Sequence, residues 1–345
     1  MHSLRCSTTL DTLTHPEMKA SIVNEWAIET NGLARSFNDV QAVKGIDLTI
    51  PKGQIYGFLG PNGAGKTTLV RMLITLLLPS KGQARISGFD LKSEPRQIRL
   101  RIGAALQEAT LDPKQRGLEF LRLQGYLYGL SRRLADQRID ELASLIDLGD
   151  AITRFISTYS GGMKRRLDLA AALIHNPDIL FLDEPTTGLD PISRNRVWEE
   201  VRRINQELGV TIFLTTQYLE EADSLADRVG IINHGVLAVE GTPTELKRAI
   251  GSDIIIADIG SDTDSAIEAV RSLEAVEKVE PHGGELMIRV TNGAAHIGPV
   301  ALALHQRGVT VNEIKMHTPT LDDVFLNVTG ARFEEVAAEE EAMNE

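Results

Sequence analysis

Short apolar runs alternate with stretches of helical periodicity from Trp26 to about Leu246. Four of these runs are short enough, and rich enough in branched and aromatic residues, to be buried strands. They are Ile55–Leu59, Ile179–Leu182, Thr211–Thr215 and Val229–Ile232. Strands that alternate with helices are typical of an α/β sheet covered by helices. We therefore predict an α/β domain over residues 25–246.

The strand signal is lost between about Asp112 and Tyr159. Apolar residues in this segment recur at helical rather than strand spacing. They include Leu118, Leu121, Tyr126, Ile139, Leu142, Leu145 and Ile146. The pattern predicts a helical subdomain at about residues 112–160, inserted into the α/β domain.

A different pattern begins after Gly251. Strands and helices are predicted there in the order βαββαβ, which is that of a ferredoxin-like unit. The predicted elements are the strand Ile254–Ala257, the helix Asp264–Leu273, the strands Val276–Pro281 and Glu285–Val290, the helix Ile297–Gln306 and the strand Val309–Lys315. Residues 251–330 are therefore predicted to form a small α+β accessory domain.

Both ends of the chain lack such a pattern. Residues 1–24 are polar, which predicts a disordered N-terminal extension, and Met18 offers a second possible start of translation. The last fifteen residues hold six glutamates and one arginine, so 331–345 is predicted to be an acidic, solvated tail.

Composition excludes several classes of function. No run approaches the 18 apolar residues that span a bilayer, and the first twenty residues lack the apolar segment of a secretory signal, so cytoplasmic residence is expected. The net charge of -12 argues against a general nucleic-acid-binding surface, because phosphate backbones attract clustered Lys and Arg. The one cysteine, Cys6, excludes an internal disulfide.

A phosphate-binding loop follows the strand Ile55–Leu59 and precedes a helical run that opens with Thr68. Its residues are Gly60, Pro61, Asn62, Gly63, Ala64, Gly65, Lys66 and Thr67, which match G-x-x-x-x-G-K-[ST]. In this pattern backbone N–H groups and the helix N-terminus receive the phosphates, Lys66 supplies charge to the β- and γ-phosphates, and the Thr67 hydroxyl binds Mg²⁺. A glycine-rich turn with a chance lysine is the alternative. The loop alone leaves GTPases, kinases and ATPases open.

Two carboxylates end the strand Ile179–Leu182. A buried strand would place Asp183 at the sheet edge, where it can hold Mg²⁺ through water. Glu184 would then face the γ-phosphate and polarise the attacking water as general base. A strand that simply ends in solvated acids is the alternative.

The segment Tyr159-Ser160-Gly161-Gly162-Met163-Lys-Arg-Arg-Leu resembles the signature motif of ABC ATPases, with Tyr159 and Met163 in place of the common Leu and Gln. Serine and two glycines at a helix start form a small anion-binding nest. Taken alone, they could equally be a helix cap. The resemblance implies a P-loop NTPase fold of the ABC ATPase type with ATP and Mg²⁺ as cofactors.

The same resemblance implies a head-to-tail dimer, in which Ser160, Gly161 and Gly162 of one copy grip the ATP held by the other. Gln107 matches the glutamine that couples Mg²⁺ and the γ-phosphate to the helical insert. Phe37 stands where the family places an aromatic ring that stacks on adenine, with a core phenylalanine as the alternative. Thr187–Asp190 resembles the loop that contacts the second copy, with Asp190 in a structural role.

One position departs from the family pattern. After the strand Thr211–Thr215 the family presents a histidine to the γ-phosphate, and this chain has Gln217. Glutamine can donate a hydrogen bond but cannot become cationic near neutral pH. We expect ATP hydrolysis to be retained, with an uncharged amide at the γ-phosphate in place of a side chain that can become cationic.

Three segments together resemble the daunorubicin-resistance type of ABC ATPase: the signature segment, the segment around Gln217 and Pro319–Gly330. Its members pair with a separate permease and export antibiotics, lipids or polysaccharides. The resemblance implies an ATPase subunit of an exporter, held at the cytoplasmic face of the cell membrane by the permease. The alternative is an ABC ATPase of translation, repair or cofactor assembly. One phosphate loop per chain, and only about 94 residues from Lys66 to Ser160, favour transport.

The 251–330 unit has two interpretations. It could pack against its twin in the dimer, or it could bind a regulatory ligand. We favour the first. No sequence feature supplies a convergent polar pocket, so the sequence does not identify a ligand for the second.

Overall fold

The computed structural model describes residues 25–106, 111–259, 263–282 and 284–329. The predicted extension over residues 1–24, the residue Gln107 and the predicted tail over 331–345 lie outside these ranges. The expectations for these three parts of the chain remain predictions.

The described residues form fourteen strands and eleven α-helices. The strands are β1 (Trp26–Phe37), β2 (Val40–Pro51), β3 (Ile55–Leu59), β4 (Lys81–Ile86), β5 (Phe89–Asp90), β6 (Ile102–Ala105), β7 (Ile179–Asp183), β8 (Thr211–Thr216), β9 (Arg228–Asn233), β10 (Val236–Gly241), β11 (Asp253–Asp258), β12 (Val276–His282), β13 (Glu285–Val290) and β14 (Glu313–His317). The helices are α1 (Lys66–Leu73), α2 (Pro95–Arg99), α3 (Gly117–Leu127), α4 (Arg132–Leu145), α5 (Gly161–Leu173), α6 (Pro191–Leu208), α7 (Leu219–Leu225), α8 (Pro243–Ile250), α9 (Thr263–Arg271), α10 (Gly293–Gln306) and α11 (Leu321–Thr329).

A six-stranded sheet forms the centre of the molecule, in the order β10-β9-β3-β8-β7-β6. All its neighbouring strands are parallel except β10, which is antiparallel to β9. The four predicted buried strands are confirmed as β3, β7, β8 and β9, and the first three are buried at every position. Burial on both faces explains why their sequences are continuous apolar runs. The loops after the carboxyl ends of β3, β7 and β8 therefore lie side by side.

Each face of the central sheet has its own hydrophobic core. On one face, side chains of β3, β7 and β8 share a core with α1 and with a second sheet, β2-β1-β4-β5. On the other face, the core is built from α3, α4, α5 and α6. Helices α3 and α4 lie between β6 and β7, where the spacing of apolar residues predicts them. The predicted α/β fold class is confirmed.

The elements from β11 to β14 follow the predicted order βαββαβ. Their sheet has the order β12-β13-β11-β14, and every neighbouring pair is antiparallel. The last strand begins at Glu313 instead of the predicted Val309, because Val309 is buried in the turn that follows α10. Gly308, in that turn, has a φ of 76°.

The helix α11 was not predicted from the sequence. It returns to the α/β part and packs on α7, α8 and β9 through the buried side chains of Leu321, Val324 and Phe325. These residues share a core with Ala222 of α7 and Leu246 of α8. The last described helix thus joins the C-terminal sheet to the α/β part by a second route, in addition to the chain connection after α8.

Within the described ranges, the structure contains no helix that is both long enough and apolar enough to cross a bilayer.

Candidate functional site

The loop Gly60–Thr67 connects β3 to α1 and has the backbone shape that a phosphate cradle needs. Gly63 and Gly65 have φ values of 67° and 110°, in the left-handed region that side chains disfavour. A Cβ at Gly65 would also collide with the carbonyl oxygen of Ala42. Gly65 is therefore required by geometry and Gly63 is favoured by its φ, and the loop turns directly into the N-terminus of α1.

Lys66 is held inside this loop. Its side chain is only 4% exposed, and its Nζ donates hydrogen bonds to the carbonyl oxygens of Gly60 at 2.8 Å and Pro61 at 3.1 Å. The same Nζ lies 3.7 Å from Oε1 of Glu184, which follows β7. A buried ammonium group and a carboxylate thus face each other across the carboxyl edge of the sheet.

Asp183 and Glu184 lie at the end of β7, beside β8. Asp183 is 2% exposed, and the Thr215 hydroxyl donates to its Oδ1 at 2.5 Å. Glu184 has a φ of 49°, which is unusual for a residue other than glycine, and its N–H donates to the Thr215 carbonyl at 3.1 Å. Such left-handed positions are concentrated at functional sites.

Gln217 is linked to the Glu184 carboxylate through the hydroxyl of Thr187. Its Nε2 lies 3.5 Å from Oγ1 of Thr187, and that hydroxyl donates to Oε2 of Glu184 at 3.2 Å. Together with Lys66 these residues form a line of polar side chains across the loops after β3, β7 and β8. The sequence alone did not indicate that Thr187 links the other two.

Ser160–Gly162 form the start of α5. The Ser160 hydroxyl caps the helix by accepting the N–H of Met163 at 3.3 Å, and Ser160 itself is exposed. A Cβ on Gly161 would meet only Leu189 Cδ2, at 3.7 Å, which is an ordinary contact. Within the described part of the chain, the Ser160 hydroxyl makes no hydrogen bond other than this cap. The surface in front of them is open.

Phe37 lies at the end of β1 and is 43% exposed. The guanidinium carbon of Arg35 lies 4.6 Å from the centre of its ring. The interpretation of Phe37 as a core residue is therefore wrong. An exposed ring remains available for stacking.

Arg165 is a buried residue that the sequence does not distinguish from its basic neighbours. Its guanidinium donates to the backbone carbonyls of Leu106 at 2.9 Å and Pro185 at 3.0 Å, and it lies 3.2 Å from the Asp168 carboxylate. It also reaches the carbonyl of Asp183 at 3.4 Å. Burial raises the pKa of Asp168 to about 6, although the neighbouring arginine acts in the opposite direction. Arg165 therefore links α5, the helix that follows Ser160, to the ends of β6 and β7.

Glu221 on α7 supports the loop that follows Glu184. It is fully buried and accepts hydrogen bonds from Thr186 Oγ1 at 3.2 Å and Trp198 Nε1 at 2.9 Å. Burial raises its pKa, and these hydrogen bonds offset part of that shift. The sequence pattern gave no sign of this carboxylate, because its partners lie on two other elements.

Asp190 has the structural position that was expected for it. Its carboxylate caps α6 by accepting the N–H groups of Ile192 at 3.1 Å and Ser193 at 3.0 Å. Hydrogen bonds from Ser193 hold the pKa of Asp190 below its usual value.

Comparison with known families assigns two parts of the chain. Residues 43–187 match the ABC transporter family, and residues 241–329 match the family described as "ATP-binding protein DrrA1-3-like, C-terminal domain". Both assignments agree with the positions of the motifs and of the C-terminal sheet.

Individual relatives extend the likeness over almost the whole chain. The daunorubicin/doxorubicin resistance ATP-binding protein DrrA of Streptomyces peucetius is 46% identical over 324 residues, which are 92% of this chain and 97% of the relative. The Nod factor export ATP-binding protein I of Bradyrhizobium diazoefficiens is 35% identical and covers 90% and 99%. Among solved structures, CbiO1 of Clostridium perfringens, part of the ABC transporter complex CbiONQ, superposes with a TM-score of 0.61 at 25% identity, over 66% of this chain and 93% of that one.

Proposed function

The chain belongs to the family of ABC transporter ATP-binding proteins, and from this premise we propose that it is the ATP-hydrolysing subunit of an exporter with a separate membrane-spanning permease. The observation that carries the proposal is the extent of the likeness. It includes the C-terminal unit as well as the ATPase part, and the relatives that share both parts are named for drug resistance and for Nod factor export. Membership of the family makes the chain a nucleotide-binding ATPase.

The nucleotide would bind with its phosphates in the loop Gly60–Thr67. The positive φ values of Gly63 and Gly65 support this assignment, because they allow successive backbone N–H groups to point at an anion. Lys66 would exchange its two carbonyl contacts for the β- and γ-phosphates. Phe37 would stack on the adenine ring, for which its exposure provides the surface.

Magnesium fits the oxygen donors at this edge of the sheet. Hydroxyl and carboxylate oxygens are the ligands that Mg²⁺ accepts in phosphate sites, and Thr67 at the start of α1 and Asp183 at the end of β7 supply them. The hydrogen bond from Thr215 fixes the orientation of the Asp183 carboxylate. Gln107 is proposed as a third ligand from its sequence position alone. Thr67 and Asp183 would hold Mg²⁺, which would supply positive charge that stabilises the negative charge of the phosphates.

Glu184 is the proposed general base. Its carboxylate lies between the ammonium group of Lys66 and the hydroxyl of Thr187, which together orient it. A water molecule placed between this carboxylate and the γ-phosphate could transfer one proton to Oε1 or Oε2 as its oxygen bonds to the γ-phosphorus. The bond from that phosphorus to the bridging oxygen of ADP breaks, and ADP leaves. Gln217, which lies next to the Thr187 hydroxyl, would donate a hydrogen bond to the γ-phosphate.

A second copy would complete the site. Ser160–Gly162 stand at a helix N-terminus with an open surface in front of them, which suits an anion brought by another molecule. One structural neighbour is described as a dimeric ATP-binding cassette bound to ADP and phosphate. At 24% identity this likeness concerns the fold, so the dimer of the present chain is part of the proposal.

Replacing Gln217 with Ala is expected to lower ATP turnover about tenfold or more, because a hydrogen bond to a charged phosphate is lost. Gln217→His should keep most of the turnover and make it pH-dependent near pH 6.5, since histidine changes charge there and glutamine does not. Phosphate release measured from pH 5.5 to 8.5 distinguishes the three forms. Equal turnover in all of them would remove Gln217 from the site.

The export function is tested by co-expression with a candidate permease, a membrane protein of several helices. We expect this chain to lie at the cytoplasmic face of the membrane and to copurify with that protein after solubilisation in detergent. Vesicles that contain both should transport a drug only with ATP. A Lys66→Ala variant is the matched control, because it should copurify equally well and transport nothing. A chain that purifies with ribosomes, DNA or a metal-cluster scaffold instead would support the non-transport alternative.

A further inference from the structure

One buried arginine on α5 uses every hydrogen-bond donor that it has. Arg165 lies in the second turn of this helix and is 8% exposed. A guanidinium group carries five N–H donors and no acceptor. Its Nε donates once, and Nη1 and Nη2 donate twice each, over distances of 2.9 to 3.4 Å. The acceptors are the backbone carbonyls of Ala105, Leu106, Asp183 and Pro185 and the carboxylate of Asp168.

Two of these carbonyls bracket the proposed general base. They belong to Asp183 and Pro185, the residues directly before and after Glu184. The peptide group that joins Asp183 to Glu184 is held from two sides. Its C=O accepts a hydrogen bond from Arg165, and its N–H donates to the carbonyl and the hydroxyl of Thr215, both at 3.1 Å. The left-handed φ of 49° at Glu184 persists only where the surroundings fix it, and these contacts do so.

The neighbouring arginine on α5 makes different contacts. Arg166 donates to the carbonyl of Asp147 at 2.7 Å and lies 3.6 Å from the Glu200 carboxylate on α6. It therefore anchors α5 to the helices on that face of the sheet. The five acceptors of Arg165 lie instead on α5 itself and at the ends of β6 and β7, and none of the five belongs to the loop Gly60–Thr67. Arg165 thus contacts the surroundings of the base without contacting the phosphate cradle.

We propose that Arg165 is a positioning residue for Glu184. By holding the carbonyls on both sides of Glu184, it would keep the carboxylate turned toward the attacking water. It would itself touch neither that water nor the nucleotide. The inference rests on the proposed role of Glu184 as base and adds to it the part of the chain that sets its geometry.

In the proposed head-to-tail dimer, this role gives α5 two functions. Its start, Ser160–Gly162, would bind the ATP held by the second copy. Its second turn, through Arg165, would hold the base that acts on the ATP of its own chain. One helix would then connect the two ATP sites. Loss of Arg165 should therefore damage only the site whose Glu184 lies in the same chain.

Arg165→Lys tests this role by steady-state kinetics. Lysine keeps the charge, but its ammonium group has three donors on a flexible stem and cannot hold both carbonyls beside Glu184 together with the end of β6. We expect kcat to fall on the order of 100-fold, the effect of misplacing a catalytic group by about 1 Å. KM and nucleotide affinity should stay within about twofold, because the phosphate loop keeps its contacts. Phosphate release and fluorescent-nucleotide titration measure these quantities.

Two further variants control for folding. Arg166→Lys makes the same change at the next position of α5 and should keep kcat within about twofold. Asp168→Asn preserves the size of the side chain but removes the negative charge beside Arg165, so it should lower kcat about tenfold at unchanged KM. Thermal unfolding is recorded for each variant. If Arg165→Lys does not fold, an unchanged kcat in Asp168→Asn overturns the proposal.

Mixtures of slow variants show which of the two sites Arg165 serves. Gly161→Asp blocks the anion site at the start of α5, and Glu184→Gln removes the base. Arg165→Lys mixed with Gly161→Asp should regain about a quarter of the unaltered turnover, because half of the dimers are mixed and each of these has one intact site. Arg165→Lys mixed with Glu184→Gln should regain none, because neither site of the mixed dimer has a correctly held base.

A mixture of Gly161→Asp with Glu184→Gln is the control, and it should also regain about a quarter of the turnover. If this control stays inactive, the dimer of the proposed function fails, while kcat and KM of Arg165→Lys still report on its role beside Glu184. Three results would overturn that role. They are an unchanged kcat in Arg165→Lys, a loss that lies in KM instead of kcat, and recovery with Glu184→Gln but not with Gly161→Asp, which would mean that Arg165 acts on Ser160–Gly162.

Discussion

Replacing Glu184 with Gln is expected to lower ATP turnover by roughly 10²- to 10⁴-fold, the usual contribution of a general base, and to leave ATP binding intact. The two side chains have the same shape, and the glutamine oxygen can still accept the hydrogen bond of Thr187. Only the basicity and the negative charge are removed. Since that charge lies beside Lys66, where the γ-phosphate would approach, its loss should make bound ATP and the closed dimer more stable.

Phosphate release, fluorescent-nucleotide binding and light scattering of the eluted protein measure these three effects separately. Glu220→Gln is the matched control, since it makes the same chemical change at an exposed position of α7 and should keep turnover within about twofold. Full turnover in Glu184→Gln would assign the base to another residue.

Replacing Gly161 with Asp is expected to lower turnover on the order of 100-fold, the effect of losing one electrostatic contact to a reacting phosphate, while each monomer still binds ATP. The substitution should not disturb the fold, because a Cβ at this position meets its nearest neighbour, in Leu189, at 3.7 Å. The added carboxylate would project toward the surface that the partner's γ-phosphate should occupy. Repulsion there would prevent the dimer from closing on ATP.

Gly161→Asn separates charge from size, because it fills the same space without the negative charge and should lose less turnover. In the unaltered chain, turnover per molecule should rise with protein concentration, since half of each site comes from another copy. Turnover that is independent of concentration and unaffected by Gly161→Asp would mean that each chain hydrolyses ATP alone.

The sequence predicted best those parts of the fold whose burial is continuous. β3, β7 and β8 are buried at all positions, so their apolar runs mark them almost to the residue. The long antiparallel pair β1 and β2 alternates buried and exposed positions around bulges, which obscures its pattern. The nine residues of α11 carry apolar side chains at helical spacing, but their partners lie about a hundred positions earlier in the chain.

For the site, sequence reasoning found the residues that belong to motifs and missed those that support them. Lys66, Asp183, Glu184 and Gln217 do meet at one edge of the sheet. Arg165 was missed because it sits in a run of basic residues and its partners are mostly backbone carbonyls, which no residue pattern records.

The return of α11 to the α/β part restricts how the C-terminal sheet can move. The sheet is attached once through the chain after α8 and once through the core around Phe325. A body on a single flexible tether could swing in any direction. One that is fastened at two neighbouring points keeps chiefly the rotation about the line that joins them. α7 begins two residues after Gln217 and packs on α11. A displacement of α7 caused by the nucleotide would therefore be transmitted to the C-terminal sheet as a rotation about that line.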